Sequence, residues 1–268
     1  MVLNITTGFD YDFAIASIGD DLIAFDSLPL SELSLLRNSA APDAIALLGG
    51  NDTANDNGDG RIYFGNAGAD VLSGNSGNDT LSGGQGNDRV DGGSQDDVLA
   101  GNLGDDWLSG GDGSDLLLGG QDQDVVLGGE GNDSLSGDRG LDTLTGGNGA
   151  DVFYLAASSE LGVDRISDFQ DGVDKILLPN GVAFNNLQIS DAAGAVSIAI
   201  GGQQVAVLDG MAAAALTSAD FIGGVPLAVD AGNAPGNALD LGVLTGTQRF
   251  NDFVGASDTN DYYKFEVT

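Results

Sequence analysis

Gly65-Asn66-Ala67-Gly68-Ala69-Asp70-Val71-Leu72-Ser73 opens the stretch that decides the fold. It is the first of ten consecutive nine-residue units, and the last is Gly146-Gly147-Asn148-Gly149-Ala150-Asp151-Val152-Phe153-Tyr154. Position one is always Gly, and position two is Gly, Asn or, once, Asp138. These residue types accept positive φ at low cost. We therefore predict a tight turn over positions one to six and a short strand over positions seven to nine.

Two further positions of the unit keep the same chemical type in every copy. Position six is always Asp, at Asp70, Asp79, Asp88, Asp97, Asp106, Asp115, Asp124, Asp133, Asp142 and Asp151. Position eight is always apolar, at Leu72, Leu81, Val90, Leu99, Leu108, Leu117, Val126, Leu135, Leu144 and Phe153. Side chains alternate between the faces of a strand, so position eight points inward. One apolar residue per unit makes no core alone, but stacked units align these residues into continuous ribs.

The carboxylates of stacked units align as well. Like charges one strand spacing apart, about 4.8 Å, repel unless a cation lies between them. Carboxylates and turn carbonyls are hard oxygen ligands, which Ca²⁺ accepts in sets of about 6–8 with flexible geometry, whereas Mg²⁺ demands a stricter octahedron. Zinc prefers nitrogen and sulfur, and the chain has no His and no Cys. The repeat therefore predicts several Ca²⁺ ions.

The unit resembles the G-G-x-G-x-D-x-U-x nonapeptide of the RTX, or hemolysin-type, calcium-binding family. The resemblance implies an all-β fold, a parallel β-roll in which two units form one coil and Ca²⁺ lies between successive turns. It implies that the ten position-six aspartates are ligands, helped by the carbonyls of Gly68, Gly77, Gly86, Gly104, Gly113, Gly131, Gly140 and Gly149. Gln95 and Asp122 depart from Gly at position four, so the sites that use those two turns stay open.

Composition excludes several functions. The formal net charge is -33, which argues against nucleic acid and against anionic membrane surfaces as partners. Without His or Cys there is no Ser-His-Asp or Cys-His arrangement and no H-E-x-x-H zinc helix. A two-carboxylate glycosidase is not excluded by counting, but a catalytic pair should break the repeat. We expect no enzymatic activity in this chain.

Residues 1–48 are not repetitive, and we predict an N-terminal cap that covers the end coil of the roll. Phe13–Ala16 and Leu22–Phe25 are the predicted strands, and Ser27–Arg37 is a predicted short helix. A separate binding module is the alternative. Residues 49–64 contain Asn55, Asn57 and Asp59 at EF-hand spacing. The Glu that such a loop requires is replaced by Asn66, so an irregular first repeat is preferred, and we place the roll at 49–154.

Residues 155–222 resemble the C-terminal β capping module that follows RTX repeats in serralysin-type proteases. Asp164, Asp168, Asp171 and Asp174 could hold a further Ca²⁺, but solvated turn carboxylates are the preferred interpretation. Residues 223–235 are a predicted linker. Residues 236–268 resemble the opening of a pre-peptidase C-terminal domain, which implies a partial β-sandwich.

Outward positions of the roll are mostly polar, but one group is apolar: Trp107, Leu116, Leu118, Val125 and Leu127. Such a group predicts either a protein-partner surface or an intramolecular cap, and we favour the cap.

The N-terminus, Met1 to Asp10, lacks the basic and apolar regions of a Sec signal, and no window reaches the about 18 apolar residues of a membrane span. RTX proteins typically leave the cell by a type I route. We therefore expect a secreted or cell-surface bacterial protein whose calcium-binding roll folds on Ca²⁺ after export, with a structural or adhesive role. The alternative is the non-catalytic export and folding region of a secreted hydrolase.

Overall fold

The fold is a solenoid of two parallel-stranded sheets. A computed structural model describes residues 4–7, 12–15, 22–24, 44–47, 49–55, 60–155 and 162–224. With strands numbered in chain order, sheet I contains β1 (Asn4–Thr7), β2 (Asp12–Ile15), β4 (Ala44–Ala46), β6 (Ile62–Ala67), β8 (Thr80–Gln85), β10 (Val98–Leu103), β12 (Leu116–Gln121), β14 (Ser134–Arg139), β16 (Val152–Tyr154), β18 (Lys175–Asn180) and β22 (Phe221–Gly224). Sheet II contains β3 (Leu22–Ala24), β5 (Thr53–Asn55), β7 (Val71–Ser73), β9 (Arg89–Ser94), β11 (Trp107–Asp112), β13 (Val125–Glu130), β15 (Thr143–Asn148), β17 (Asp164–Ile166), β21 (Gln203–Asp209), β20 (Ala195–Ile200) and β19 (Leu187–Ala192).

The chain crosses from one sheet to the other after every unit of the repeat. Two units therefore make one coil, and β10 pairs in parallel with β8 on one side and β12 on the other. Leu99 stands opposite both Leu81 and Leu117 in this register. The position-eight side chains are buried and form one continuous core. The prediction of an all-β parallel roll is confirmed.

Most repeat strands are longer than predicted. β8 runs from Thr80 at position seven through Gly83 to Gln85 of the next unit. Position-one glycines do not have positive φ, whereas position two does in every unit, including Asn102 (φ 82°) and Asp138 (φ 62°). The prediction that position one belongs to the turn is therefore wrong for most units. Position one is extended chain, so the strand continues through it and turns only afterwards.

Strands outside the repeats extend both sheets. At the N-terminal end β1 and β2 are antiparallel. Parallel pairing then leads toward the repeats, from β2 through β4 to β6 in sheet I and from β3 to β5 in sheet II. At the other end β21 pairs in parallel with β17 and carries the antiparallel strands β20 and β19. Phe169 packs against Phe153 with ring centroids 6.1 Å apart. The last rib of the repeats is thus covered by apolar residues.

The elements predicted outside the repeats have different outcomes. The predicted helix Ser27–Arg37 and the predicted sandwich segment 236–268 lie outside the described residues. The strands predicted at Phe13–Ala16 and Leu22–Phe25 correspond to β2 and β3. No helix within the described part of the chain is long and apolar enough to cross a membrane.

The outward apolar group does not form one patch. Trp107, Val125 and Leu127 lie on sheet II, whereas Leu116 and Leu118 lie on sheet I. The two leucines are buried, and Val125 is 38% exposed. The prediction of a single surface is wrong, because units alternate between sheets and neighbouring units therefore face opposite sides.

Candidate metal centre

The position-six aspartates form two rows, one along each edge of the roll. Each residue directly precedes a strand, so its row takes the number of that strand's sheet. Row I contains Asp79, Asp97, Asp115, Asp133 and Asp151, and row II contains Asp70, Asp88, Asp106, Asp124 and Asp142. All ten side chains are buried, although each belongs to a turn. The structure thus brings the predicted ligands together in two sets of five.

Hydrogen bonds tie each row into a ladder. The Asp88 amide donates to Asp106 Oδ1 at 2.7 Å, and the same bond joins residues eighteen apart along both rows. The strand that follows is fixed in the same way, since the Trp107 amide donates to the Asp88 carbonyl at 2.9 Å. One carboxylate oxygen of each aspartate is therefore held by the preceding coil.

The second carboxylate oxygen has no donor. Oδ2 is buried and accepts no hydrogen bond in Asp70, Asp88, Asp97, Asp106, Asp115, Asp124, Asp133, Asp142 and Asp151. Its neighbours are backbone. A Cβ built on Gly119 would lie 2.5 Å from Asp124 Oδ2 and 2.9 Å from the Gly137 carbonyl oxygen of the next turn. A carboxylate oxygen and a carbonyl oxygen thus face one small space that lacks a hydrogen-bond donor, and this arrangement fits a hard cation.

This space explains why position one is always glycine. The same two neighbours, Oδ2 of the unit's own aspartate and the position-one carbonyl of the next turn, surround a Cβ built on Gly65, Gly74, Gly92, Gly101, Gly110 and Gly128. Any side chain would enter the space that the oxygens face. Position one is therefore determined by room for the site, not by backbone conformation.

Burial shifts the carboxyl groups toward the protonated form when no cation is present. It raises the pKa of Asp97 and Asp124 to about 8, and that of Asp88, Asp106 and Asp133 to about 7. The hydrogen bond from the preceding aspartate amide lowers each value in part, and neighbouring carboxylates raise it again. A buried carboxylate that is costly to ionise alone is one that a bound cation stabilises.

A cation at these turns would need backbone carbonyls for most of its ligands. Among the described residues no three acidic, His or Cys side chains converge on one point. Position-four carbonyls project toward the next turn, since a Cβ on Gly86 would meet the Gly68 carbonyl oxygen and a Cβ on Gly104 the Gly86 carbonyl oxygen. Most predicted helper glycines have positive φ, namely Gly68, Gly77, Gly86, Gly104, Gly113, Gly131 and Gly149, but Gly140 does not.

The two departures from glycine at position four keep the turn. Gln95 has φ 78° and Asp122 has φ 79°, within the left-handed region that the glycines also use. Asp97 and Asp124, which end these turns, accept the same amide hydrogen bonds as the other aspartates. Both turns therefore keep the left-handed backbone and the aspartate hydrogen bond of the other units.

Four residues extend the rows beyond the predicted set. Asp52 is buried in row II and donates its amide to Asp70 Oδ1 at 2.7 Å. Arg61 takes the equivalent place in row I, buried, with its amide on Asp79 Oδ1. Asp164 and Asp174 are also buried and follow Asp142 and Asp151. Solvated turn carboxylates are thus the wrong interpretation for these two. The nine-residue phase would have located Asp52, but insertions hide Asp164 and Asp174.

A family profile also matches the repeats. The profile of a family described as RTX calcium-binding nonapeptide repeat (4 copies) matches residues 64–99, 91–126 and 127–157. Residues 64–157 are RTX repeats. The RTX roll of this chain therefore binds Ca²⁺, and RTX repeats are typical of secreted bacterial proteins.

Solved structures similar to this chain include the AlgE6R3 subunit of the Azotobacter vinelandii mannuronan C5-epimerase. It is 26% identical over 64% of this chain and 93% of that chain, with a TM-score of 0.33. Another is the extracellular lipase LipA from Serratia marcescens, 16% identical over 81% of this chain and 40% of the lipase, with a TM-score of 0.28. No curated protein matches the chain.

Proposed function

We propose that this RTX roll is a non-catalytic structural module that folds when Ca²⁺ binds. The observation that carries the proposal is the buried Oδ2 of each row, which faces a carbonyl oxygen and no donor. The proposed ligands are the ten predicted aspartates with the carbonyls of their turns. Bound Ca²⁺ would supply the positive charge that two rows of buried carboxylates need.

The charge of the chain supports coupling between binding and folding. Of 49 charged residues, 41 are acidic and 8 basic. The carboxyls of each row lie one strand spacing apart. Burial raises the pKa of Asp133, and the neighbouring Asp115 and Asp151 carboxylates raise it further. Without a cation the folded chain must protonate these groups or repel itself, while the unfolded chain does neither. Binding free energy therefore becomes folding free energy.

The size of the core supports the same proposal. Each nine-residue unit buries one position-eight side chain, such as Leu108 or Leu117, completely. The remaining positions are mainly turn glycines and short polar residues, which contribute little apolar burial. A solenoid with so thin a core depends on its turn ligands more than a globular domain does.

Extracellular calcium modules bind at about 10⁻⁴–10⁻³ M. Affinity in that range would leave the chain without Ca²⁺, and unfolded, inside a cell, where free calcium is far lower. We propose that the chain leaves by a type I route in this state and folds outside. The resulting rigid roll suits a structural or adhesive role at the cell surface, and a non-catalytic region of a secreted hydrolase is the alternative.

Far-UV circular dichroism and size exclusion during a Ca²⁺ titration of metal-free protein test the proposal. We expect a cooperative gain of β-sheet signal and a smaller hydrodynamic radius with Ca²⁺ but not with equal Mg²⁺. A fully formed roll in metal-free protein, verified by elemental analysis, would rule out calcium-coupled folding. Assays for ester and peptide hydrolysis on the Ca²⁺-loaded chain test the non-catalytic assignment, and turnover would overturn it.

A further inference from the structure

The two rows of carboxylates end differently after the repeats. In row I, Lys175 pairs with Val152, so Asp174 takes the place that follows Asp151. In row II, Arg165 pairs with Thr143, so Asp164 takes the place that follows Asp142. Both residues lie beyond the matched repeats, which end at residue 157. Each row therefore gains one aspartate that the nonapeptide pattern does not supply.

Asp174 is satisfied by backbone amides alone. Its Oδ1 accepts from the Asp151 amide at 3.1 Å, and its Oδ2 accepts from the Gln170 amide at 2.7 Å. The repeat aspartates Asp142 and Asp151 differ, because their Oδ2 accepts no hydrogen bond. Asp174 thus ends row I with both carboxylate oxygens already bonded to backbone amides.

Asp164 keeps the unsatisfied oxygen that Asp174 lacks. It is 2% exposed, and its Oδ1 is buried with no hydrogen-bond partner. The carboxyl groups of Asp164 and Asp142 lie within hydrogen-bonding reach of each other, and Asp142 Oδ2 is also buried without a donor. Two carboxylates in this contact need either a shared proton or a cation between them.

The backbone around Asp164 repeats the turn geometry of the roll. Gly140 bridges Gly162 in parallel, and Gly162 has φ 123°. A Cβ on Gly162 would meet the Gly140 carbonyl oxygen, as a Cβ on Gly86 would meet that of Gly68. A carbonyl oxygen therefore projects toward the next coil here as it does in the repeats.

We propose that Asp142, Asp164 and the Gly140 carbonyl hold one further Ca²⁺ at the end of row II, whereas row I ends at Asp174 without one. This inference rests on the proposed function of the position-six aspartates as ligands. The extra site joins β15, the last long strand of the repeats, to β17, the first strand beyond them. It fastens the C-terminal strands to the roll along one edge only.

Long-wavelength anomalous diffraction from crystals of the full chain grown in CaCl₂ tests the inference without any variant. We expect anomalous peaks at the interior turns and at Asp142–Asp164, and none at Asp174. Peaks at the interior turns with none at Asp142–Asp164, or with a further peak at Asp174, would overturn the inference alone. An absence of peaks at the interior turns would overturn the proposed ligand assignment as well.

Equilibrium dialysis in saturating Ca²⁺ gives the matching stoichiometry. Asp164→Asn should bind one ion fewer per chain than the parent, and Asp174→Asn the same number. Asp106→Asn, in the middle of row II, is the control for the repeat sites and should lose at least one ion. Unchanged binding in Asp164→Asn beside a loss in Asp106→Asn contradicts the further site only, and unchanged binding in both contradicts the ligand assignment.

Discussion

The Asp106 amide donates a hydrogen bond of 2.8 Å to Oδ1 of Asp124, eighteen residues later. Asp124 therefore has two roles, because Oδ1 holds the preceding coil and the buried Oδ2 faces the Gly137 carbonyl. The same residue thus links the stacking of coils to the ligation of a cation. Substitutions that keep one of the two oxygens and replace the other test this relationship.

Asp124→Asn keeps an acceptor for the Asp106 amide and replaces Oδ2 with a donor that reaches the Gly137 carbonyl. In Ca²⁺ we expect lower stability and weaker binding than in the parent, since a ligand charge is lost. In metal-free protein near pH 8 we expect the opposite, a gain of about 1–3 kcal/mol, because a neutral amide removes the cost of either protonating Asp124 or burying its charge. Urea unfolding with and without Ca²⁺ measures the sign of the stability change in each condition. Asp124→Ala is the control and should destabilise in both conditions, and the same sign for Asn in both would contradict the assignment.

Gly110→Ala should damage the site although the position has no positive φ. The added Cβ would meet Asp115 Oδ2 and lie 2.7 Å from the Gly128 carbonyl oxygen. We expect loss of Ca²⁺ at that turn and a destabilisation of about 1–3 kcal/mol, the range for overpacking. Thermal unfolding at fixed Ca²⁺ is the measurement. Gly223→Ala is the matched control, since nothing lies within 4 Å of its Cβ, and equal losses in the two variants would refute the steric argument.

The pH dependence of the metal-free chain should run opposite to that of a protein with salt-bridged carboxylates. Burial raises the pKa of Asp97 and Asp124 from the ordinary 3.8 to about 8, so the folded state keeps protons that the unfolded state releases above pH 4. This contribution to stability is complete below the unfolded pKa and is lost as the pH rises through 8.

Metal-free protein should consequently contain more β structure at pH 5 than at pH 8 by circular dichroism. With Ca²⁺ present the trend should reverse, because the ligands must be deprotonated to bind. A metal-free chain that is more folded at pH 8 would show that the row carboxylates are not protonated in the folded state.

Leu117→Ala should destabilise the Ca²⁺-loaded roll by about 2–5 kcal/mol, since the side chain is fully buried in the central rib. Leu141→Ala is the control, because Leu141 is 62% exposed in a turn of the same roll. Chemical unfolding in saturating Ca²⁺ compares the two. Similar losses for both variants would contradict the inward assignment of position eight.

Trp107 is the single tryptophan, and Arg89 stacks over its ring with the guanidinium carbon 3.5 Å from the centroid. Because the pair joins adjacent coils, Trp107 emission should change in step with Ca²⁺-driven β structure. Arg89→Ala should alter the final emission and cost about 0.5–1 kcal/mol, as exposed cation–π pairs do. Arg139→Ala removes one exposed positive charge elsewhere on the roll and controls for net charge. Identical emission in parent and Arg89→Ala would contradict the stacking.

Much of the roll could be predicted from local pattern. Asp at position six and an apolar residue at position eight recur without exception, and a period of nine with one inward residue permits a stacked coil. The family profile and the buried aspartates agree with the predicted ion. The eight helper carbonyls stay a prediction, and so does each individual ligand.

Other features depended on distances that a sequence does not contain. The pattern showed that position one is Gly, but only the packing of Gly119 against Asp124 and the next turn showed that space, and not φ, is the reason. Leu116 and Val125 are neighbours in the pattern, but they lie on opposite sheets.

The sequence alone determined the period, the inward rib and the acidic edges, because these follow from alternation along a strand and from identity repeated every nine residues. Only the tertiary structure decided where the rows end. Insertions break the phase before Asp164 and Asp174, and pairing of β17 and β18 with the last repeat strands returns both residues to their rows. The residues packed beside each aspartate then decide its hydrogen bonding. The Gln170 amide donates to Asp174 Oδ2, whereas Asp164 Oδ1 has no hydrogen-bond partner.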